Sequence, residues 1–136
     1  MERLFVDVDE TLVFHDGCCG SPELISSLDE EIWDFDFSHP LMKNYPLAEA
    51  VIKWQRTSPD RKVFVWSLNN SDWVNKAANI FFKGIIPLEG IGSKYDLHGE
   101  ILSTDLAIDD REQDMRWYLE PFEQVFSPEE FVQLME

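Results

Sequence analysis

A chain of 136 residues, 44% apolar and 13% aromatic, can bury one hydrophobic core but is too short for two domains of ordinary size. Eleven Lys and Arg stand against 27 Asp and Glu, a net charge of −16. Such a field repels phosphate backbones and anionic lipid, which argues against a nucleic-acid coat or a membrane-surface binder. The charge is uneven, however. Met42 to Gly99 holds eight basic and five acidic residues, net +3, so a small anion could still be drawn to a site built there.

The first residues, Met1-Glu2-Arg3-Leu4-Phe5-Val6-Asp7, reach a carboxylate at once without an apolar leader. No apolar run approaches the ~18 residues of a membrane span. Cys18 and Cys19 are adjacent, a poor disulfide framework because a vicinal bridge is strained. The expectation is one domain over residues 1–136, cytoplasmic, a monomer or weak dimer, with no membrane partner.

The first predicted strand is Leu4-Phe5-Val6-Asp7-Val8, bulky on both faces as in a buried parallel sheet. Gly17 to Pro46 follows with a mixed signal. An acidic helix is predicted near Pro22 to Glu31, and the alternation Trp33-Asp34-Phe35-Asp36-Phe37 suggests a strand, a hairpin arm or an irregular flap. Leu47, Val51 and Trp54 lie on one face of a helix over 47–55. The turn Ser58-Pro59-Asp60 opens a second strand, Lys62-Val63-Phe64-Val65-Trp66, which ends at Ser67.

A helix over 72–82 presents Trp73, Ala77, Ile80 and Phe81 and stops at Gly84. Ile85-Ile86 suggests a short strand. Thr104 to Ile108 and Glu123 to Phe126 complete the strand set, with a helix at Met115, Tyr118 and Leu119 between them. Ser127, Pro128 and Glu130 spell the start of a last helix with a capping box. Alternating strands and helices of this length predict a three-layer α/β domain around a mainly parallel sheet.

Open α/β sheets bind ligands at the carboxyl ends of their strands. Here those ends carry Asp7 and Asp9, Ser67, and Asp109-Asp110. Asp and Ser are ordinary strand terminators, but Asp7 sits inside an apolar run, where a buried carboxylate needs a cationic partner. Two carboxylate clusters meeting at one sheet edge call for a divalent cation with oxygen ligands, and Mg²⁺ suits that chemistry.

The run Asp7-Val8-Asp9-Glu10-Thr11-Leu12 resembles the DxDxT signature of the haloacid dehalogenase superfamily of phosphotransferases, and motifs in family order extend the resemblance from Arg3 to Phe126. The resemblance implies a Rossmann-like core. It implies Asp7 as the nucleophile that becomes an aspartyl-phosphate, Asp9 as the acid and base, and Thr11 as the residue that orients the loop. Ser67 would bond the phosphoryl oxygens, and Lys94 would hold nucleophile and phosphate together. Lys76 and Lys83, near the preceding helix, read instead as surface lysines.

Ile108-Asp109-Asp110-Arg111 fits the superfamily's metal motif. Mg²⁺ would engage Asp7, Asp9 and Asp110, with Asp109 in support and Asp114 farther out. A flap and minimal insert over about 13–45 leaves no room for a large cap domain. A capless relative has an open site that admits a bulky phosphorylated substrate, including a nucleic-acid end. Details of the same motifs resemble the carboxy-terminal-domain phosphatases and small phage and bacterial phosphatases.

Two other functions stand beside the Mg²⁺-dependent phosphomonoester hydrolase. One is an inactive binding or regulatory module on the same fold, docking through the acidic-aromatic stretch Leu28 to Phe37. The other is a dehalogenase or phosphomutase, which leaves Asp9 and Asp109-Asp110 without a purpose. His15, His39 and His98 with Cys18 and Cys19 raise zinc as a further reading, but they are scattered, and loop histidines and small buried cysteines explain them as well. His15 lies in the flap region, where it could touch substrate.

Overall fold

The computed structural model describes residues 2–14, 27–33, 40–68, 71–110 and 118–136. In chain order these form β1 (Arg3–Asp7), β2 (Val13–Phe14), β3 (Ser27–Trp33), β4 (Pro40–Lys43), α1 (Tyr45–Thr57), β5 (Lys62–Ser67) and α2 (Ser71–Phe81). They continue with β6 (Gly90–Ser93), α3 (Lys94–Leu97), a 3₁₀ turn at His98–Glu100, β7 (Leu106–Ile108), β8 (Gln124–Phe126) and α4 (Pro128–Leu134).

The main sheet has the order β6-β5-β1-β7-β8, and every pairing is parallel. β1 lies at its centre, and Leu4, Phe5 and Val6 are inaccessible to solvent. Strand alternation sends Leu4 and Val6 to one face and Phe5 to the other. On the first face, Val63, Val65 and Ile108 meet Leu47, Val51 and Trp54 of α1, Trp73 and Ala77 of α2, and Phe131 of α4. On the second, Phe5 stacks on Phe64 with ring centroids 4.3 Å apart, and Trp66, Tyr118 and Phe122 close over them. Each buried aliphatic or aromatic side chain contributes about 1.5–3 kcal/mol, so this two-sided packing holds the sheet and fixes its strand ends.

The chain runs from β1 through β5 to β6 on one side, then crosses back to β7 and β8 on the other. The order therefore reverses between β1 and β7, and a doubly wound sheet opens its ligand crevice at the carboxyl ends of such a strand pair. Asp7 ends β1, and Asp109 follows β7 directly.

Several expectations need correction. Residues 27–31 are not helical. They belong to β3, which pairs antiparallel with β4 in a separate sheet of order β2-β4-β3. The apolar strand Pro40–Lys43 offers a pairing edge, and that tertiary partner overrides the local helix preference of Leu and Glu. Ile85-Ile86 is a turn, because Gly84 takes φ 82° and the backbone N–H groups of Ile85 and Ile86 both donate to the Phe82 carbonyl. The strand lies four residues later at Gly90–Ser93, where a Cβ on Gly90 would stand 2.7 Å from the Phe64 ring, too close for any residue but glycine. Residues 118–120 form a turn rather than the end of a helix. Residues 22–26, 34–37 and 115–117 of those predicted elements lie outside the described residues.

The last helix begins as its sequence predicts, with Ser127 accepting from the Glu130 backbone and Glu130 returning the bond to Ser127 N–H. α1 begins slightly earlier than expected. Asn44 caps it by accepting from the Leu47 N–H at 3.1 Å.

Candidate active site

The site grows from a tight loop after β1. The N–H groups of Thr11, Leu12 and Val13 all point to the Val8 carbonyl at 3.0–3.3 Å, and Glu10 takes the left-handed φ of 59°. This single wide turn returns Thr11 over Asp7, and the Thr11 hydroxyl donates to Asp7 Oδ2 at 2.9 Å. Asn44 fastens the turn from outside. Its amide donates to the Thr11 carbonyl, and its backbone N–H donates to the Leu12 carbonyl.

The other oxygen of Asp7 meets Lys94. The Lys94 ammonium lies 2.9 Å from Asp7 Oδ1 and 2.9 Å from Asp109 Oδ2. All three groups are almost fully buried. Lys94 is placed by the junction of β6 and α3, where Ser93 caps the short helix through the Asp96 N–H. Aromatic faces complete its pocket: the ammonium sits 3.9 Å from the Tyr118 ring centroid and 5.5 Å from that of Trp66.

Burial alone would strip the proton from Lys94, but the flanking carboxylates of Asp7 and Asp109 outweigh it and hold the ammonium above its ordinary range. Asp7 is pushed well up, first by burial and then by the charge of Asp109, with Lys94 opposing both. Asp109 is pushed up chiefly by burial, again against Lys94. Two buried acids thus share one cation among the described residues, an imbalance that a proton on one of them relieves.

Asp9 points elsewhere. Its Oδ2 accepts from the Ser67 hydroxyl at 2.6 Å, and its Oδ1 accepts from the Trp73 indole N–H at 3.0 Å. The structure thus gathers Asp7, Thr11, Lys94 and Asp109 into one bonded group, and Asp9 and Ser67 into a second beside it. Asp110 is half-buried, and its charge adds to the upward push on Asp109. Lys83 is exposed and Lys76 half-buried on or just after α2, while Lys94 takes the place between the carboxylates.

Among the described residues, no group of three or more His, Cys, Asp or Glu side chains is gathered as a metal site. Asp7 and Asp109 face Lys94 in this arrangement, and Asp9 faces Ser67 and Trp73. The donor chemistry nevertheless fits a hard divalent cation. Every candidate ligand is a carboxylate oxygen, two buried acids face one lysine among the described residues, and Asp109 Oδ1 is buried with no hydrogen-bond partner among them.

Three contributors escaped the sequence reading. Trp73 reads as one more apolar position on a helix face, and it is buried there, but its N–H also reaches Asp9. The available signal is general: a buried indole needs an acceptor. Asn44 stands one residue before a Tyr-Pro helix start, a position that favours a capping side chain. Tyr118 had been placed only on a helix stripe. His15, Cys18, Cys19, His39, Asn69, Asn70 and Asp114 lie outside the described residues, as does the side chain of Trp33. No helix among the described residues is long and apolar enough to cross a membrane.

No protein-family model matches this chain, and no curated protein matches it closely enough to count as a relative.

Proposed function

We infer that this protein is a Mg²⁺-dependent phosphomonoester hydrolase of the haloacid dehalogenase type, working through an aspartyl-phosphate. One observation supports the reading above the rest. A buried carboxylate at the switch point of a parallel sheet, Asp7, is oriented by Thr11 and charge-balanced by Lys94, with a second carboxylate, Asp9, two residues on in the same loop.

The residues divide the chemistry in a simple way. An oxygen of Asp7 attacks phosphorus, the bond from phosphorus to the leaving oxygen breaks, and Asp9 gives that oxygen its proton. Asp9, now a carboxylate, takes a proton from water. The water oxygen bonds to phosphorus, the acyl-phosphate bond to Asp7 breaks, and inorganic phosphate departs. Lys94 favours the ionised form of Asp7 before attack, against burial and Asp109, and faces the charge that develops on the phosphoryl oxygens. Thr11 fixes which Asp7 oxygen is presented.

A phosphoryl dianion approaching an already negative cluster needs further positive charge. Asp7, Asp109 and Asp110, with Asp9 adjoining, are the residues that would hold Mg²⁺, whose contribution is to neutralise the phosphoryl oxygens. The expected substrate is a phosphomonoester, and a bulky one is expected because so few residues between β1 and α1 leave no room for a large cap domain.

Turnover of an aryl phosphate in the presence and absence of Mg²⁺ tests the reading. Hydrolysis that requires the metal, with phosphoenzyme trapped by rapid quench in Asp9→Asn but not in Asp7→Asn, is the expected result. Equal trapping in both variants, or no turnover across a panel of sugar phosphates, nucleotides, phosphopeptides and nucleic-acid ends, overturns it.

A further inference from the structure

Asp9 has both carboxylate oxygens engaged, by Ser67 at 2.6 Å and by Trp73 at 3.0 Å. These two partners are unlike in what they can do. Ser67 ends β5 with a rotatable hydroxyl, which can turn from one acceptor to another at small cost. Trp73 is 2% exposed and locked in the core of α2 among Val74, Ala77 and the β5 side chains. Its indole N–H is a donor only, and its ring has no room to swing.

We propose that Trp73 is the positioning residue for Asp9, anchoring Oδ1 so that Oδ2 faces the leaving group once the Ser67 hydroxyl turns to the phosphoryl oxygens. This role rests on the hydrolase reading above. On arrival of a phosphoryl group, Ser67 is asked to serve the substrate, and Asp9 Oδ2 must be released to act on the leaving oxygen. Trp73 supplies a second tether from a rigid helix. The indole N–H can only donate, so it holds the same acceptor throughout, and a misplaced catalytic group costs rate steeply.

A role through Asp9 has a signature that simple packing does not. Trp73→Phe keeps most of the ring and removes only the donor. It should leave the first-turnover burst of phenol from an activated aryl phosphate, which reports attack by Asp7, within about 3-fold of wild type, since that leaving group needs little protonation. It should slow an alkyl phosphate by roughly 10- to 100-fold, part of the ~10²–10⁴-fold that a positioned acid provides. In an Asp9→Asn background, Trp73→Phe should cost nothing further on the alkyl substrate.

The indole N–H of Trp73, assigned in a ¹H–¹⁵N spectrum by its loss in Trp73→Phe or in a second variant, Trp73→His, should move upfield in Asp9→Asn. Equal losses in the aryl-phosphate burst and on the alkyl phosphate, additive losses in the double variant, or an unmoved indole signal would overturn the role while leaving the hydrolase reading intact. An inactive wild type overturns the hydrolase reading and the catalytic role together. If Trp73→Phe does not fold, the indole signal of Asp9→Asn decides alone: displaced supports the tether, unmoved removes it.

Discussion

The two ends of the β1–β7 strand pair are built from similar residues and arranged for opposite purposes. At the amino end, Arg3 and Asp105 meet one to one. The guanidinium donates to both carboxylate oxygens at 3.0 and 2.9 Å, and Asp105 also accepts from the Leu102 N–H. Arg3 lies over the Phe64 ring as well. Among the described residues, one guanidinium matches one carboxylate and both carboxylate oxygens accept. At the carboxyl end, two acids share one lysine, and a buried Asp109 oxygen has no hydrogen-bond partner among the described residues. A balanced buried pair stabilises a fold, whereas an unbalanced one is tolerated where something else must bind or react.

The contrast is open to direct test, beginning with Lys94→Met, which should have the largest effect on stability. Removing one partner of a buried ion pair costs about 3–5 kcal/mol, and here two carboxylates are left facing each other. Both acids have folded-state values above their unfolded ones, so their protonation favours the fold. The deficit should be small near pH 4 and grow as pH rises through the raised folded values. In wild type, the Lys94 contribution is present across neutral pH and is lost only in strongly alkaline solution. Thermal melts of both proteins between pH 4.5 and 8 check this, and a gap that does not change with pH would remove the claim of surplus charge.

The acids at the two ends should respond in opposite directions to the same change. Asp105→Asn breaks a satisfied pair and should cost about 2–3 kcal/mol, less than a fully buried pair because Arg3 is partly solvated. Its kcat should be close to wild type. Asp7→Asn removes surplus negative charge and should melt at or above the wild-type temperature, while hydrolysis falls by roughly 10⁴-fold or more, as when a nucleophile is lost. Equal destabilisation by both substitutions would erase the distinction between the ends.

The smallest effect expected is that of the metal itself. Binding only to the folded state, Mg²⁺ at ten times its Kd should add about 1.4 kcal/mol, a rise in Tm of a few degrees. Asp110→Asn should shrink that rise. Asp105→Asn should leave it unchanged, because the amino end has no vacancy of charge to fill.

Much of the frame was legible along the chain. The buried run at β1 and the strand at Lys62–Ser67 announce themselves by periodicity and turn residues. α4 does so by Ser127 and Glu130, because capping, turn chemistry and side-chain alternation act over a few residues. The Asp7-x-Asp9-x-Thr11 spacing belongs to the same range, and the Thr11 to Asp7 bond spans four residues. By contrast, β3 was misread, since its pairing with β4 depends on an edge that only the folded chain provides.

Local sequence therefore determined four of the five strands of the main sheet and which carboxylates stand at its edge, while β6 lies beyond the Ile85-Ile86 signal. Tertiary structure alone decided who partners them. Lys94 reaches Asp109 across 15 residues, Ser67 reaches Asp9 across 58, Trp73 reaches Asp9 across 64, and Arg3 reaches Asp105 across 102. A side chain's polarity is written in the sequence, but its acceptor is whichever group the packed sheet brings within 3 Å. Trp73 shows why this limits a reading from sequence: burial and hydrogen bonding make separate demands on one residue, and only its burial leaves a periodic trace.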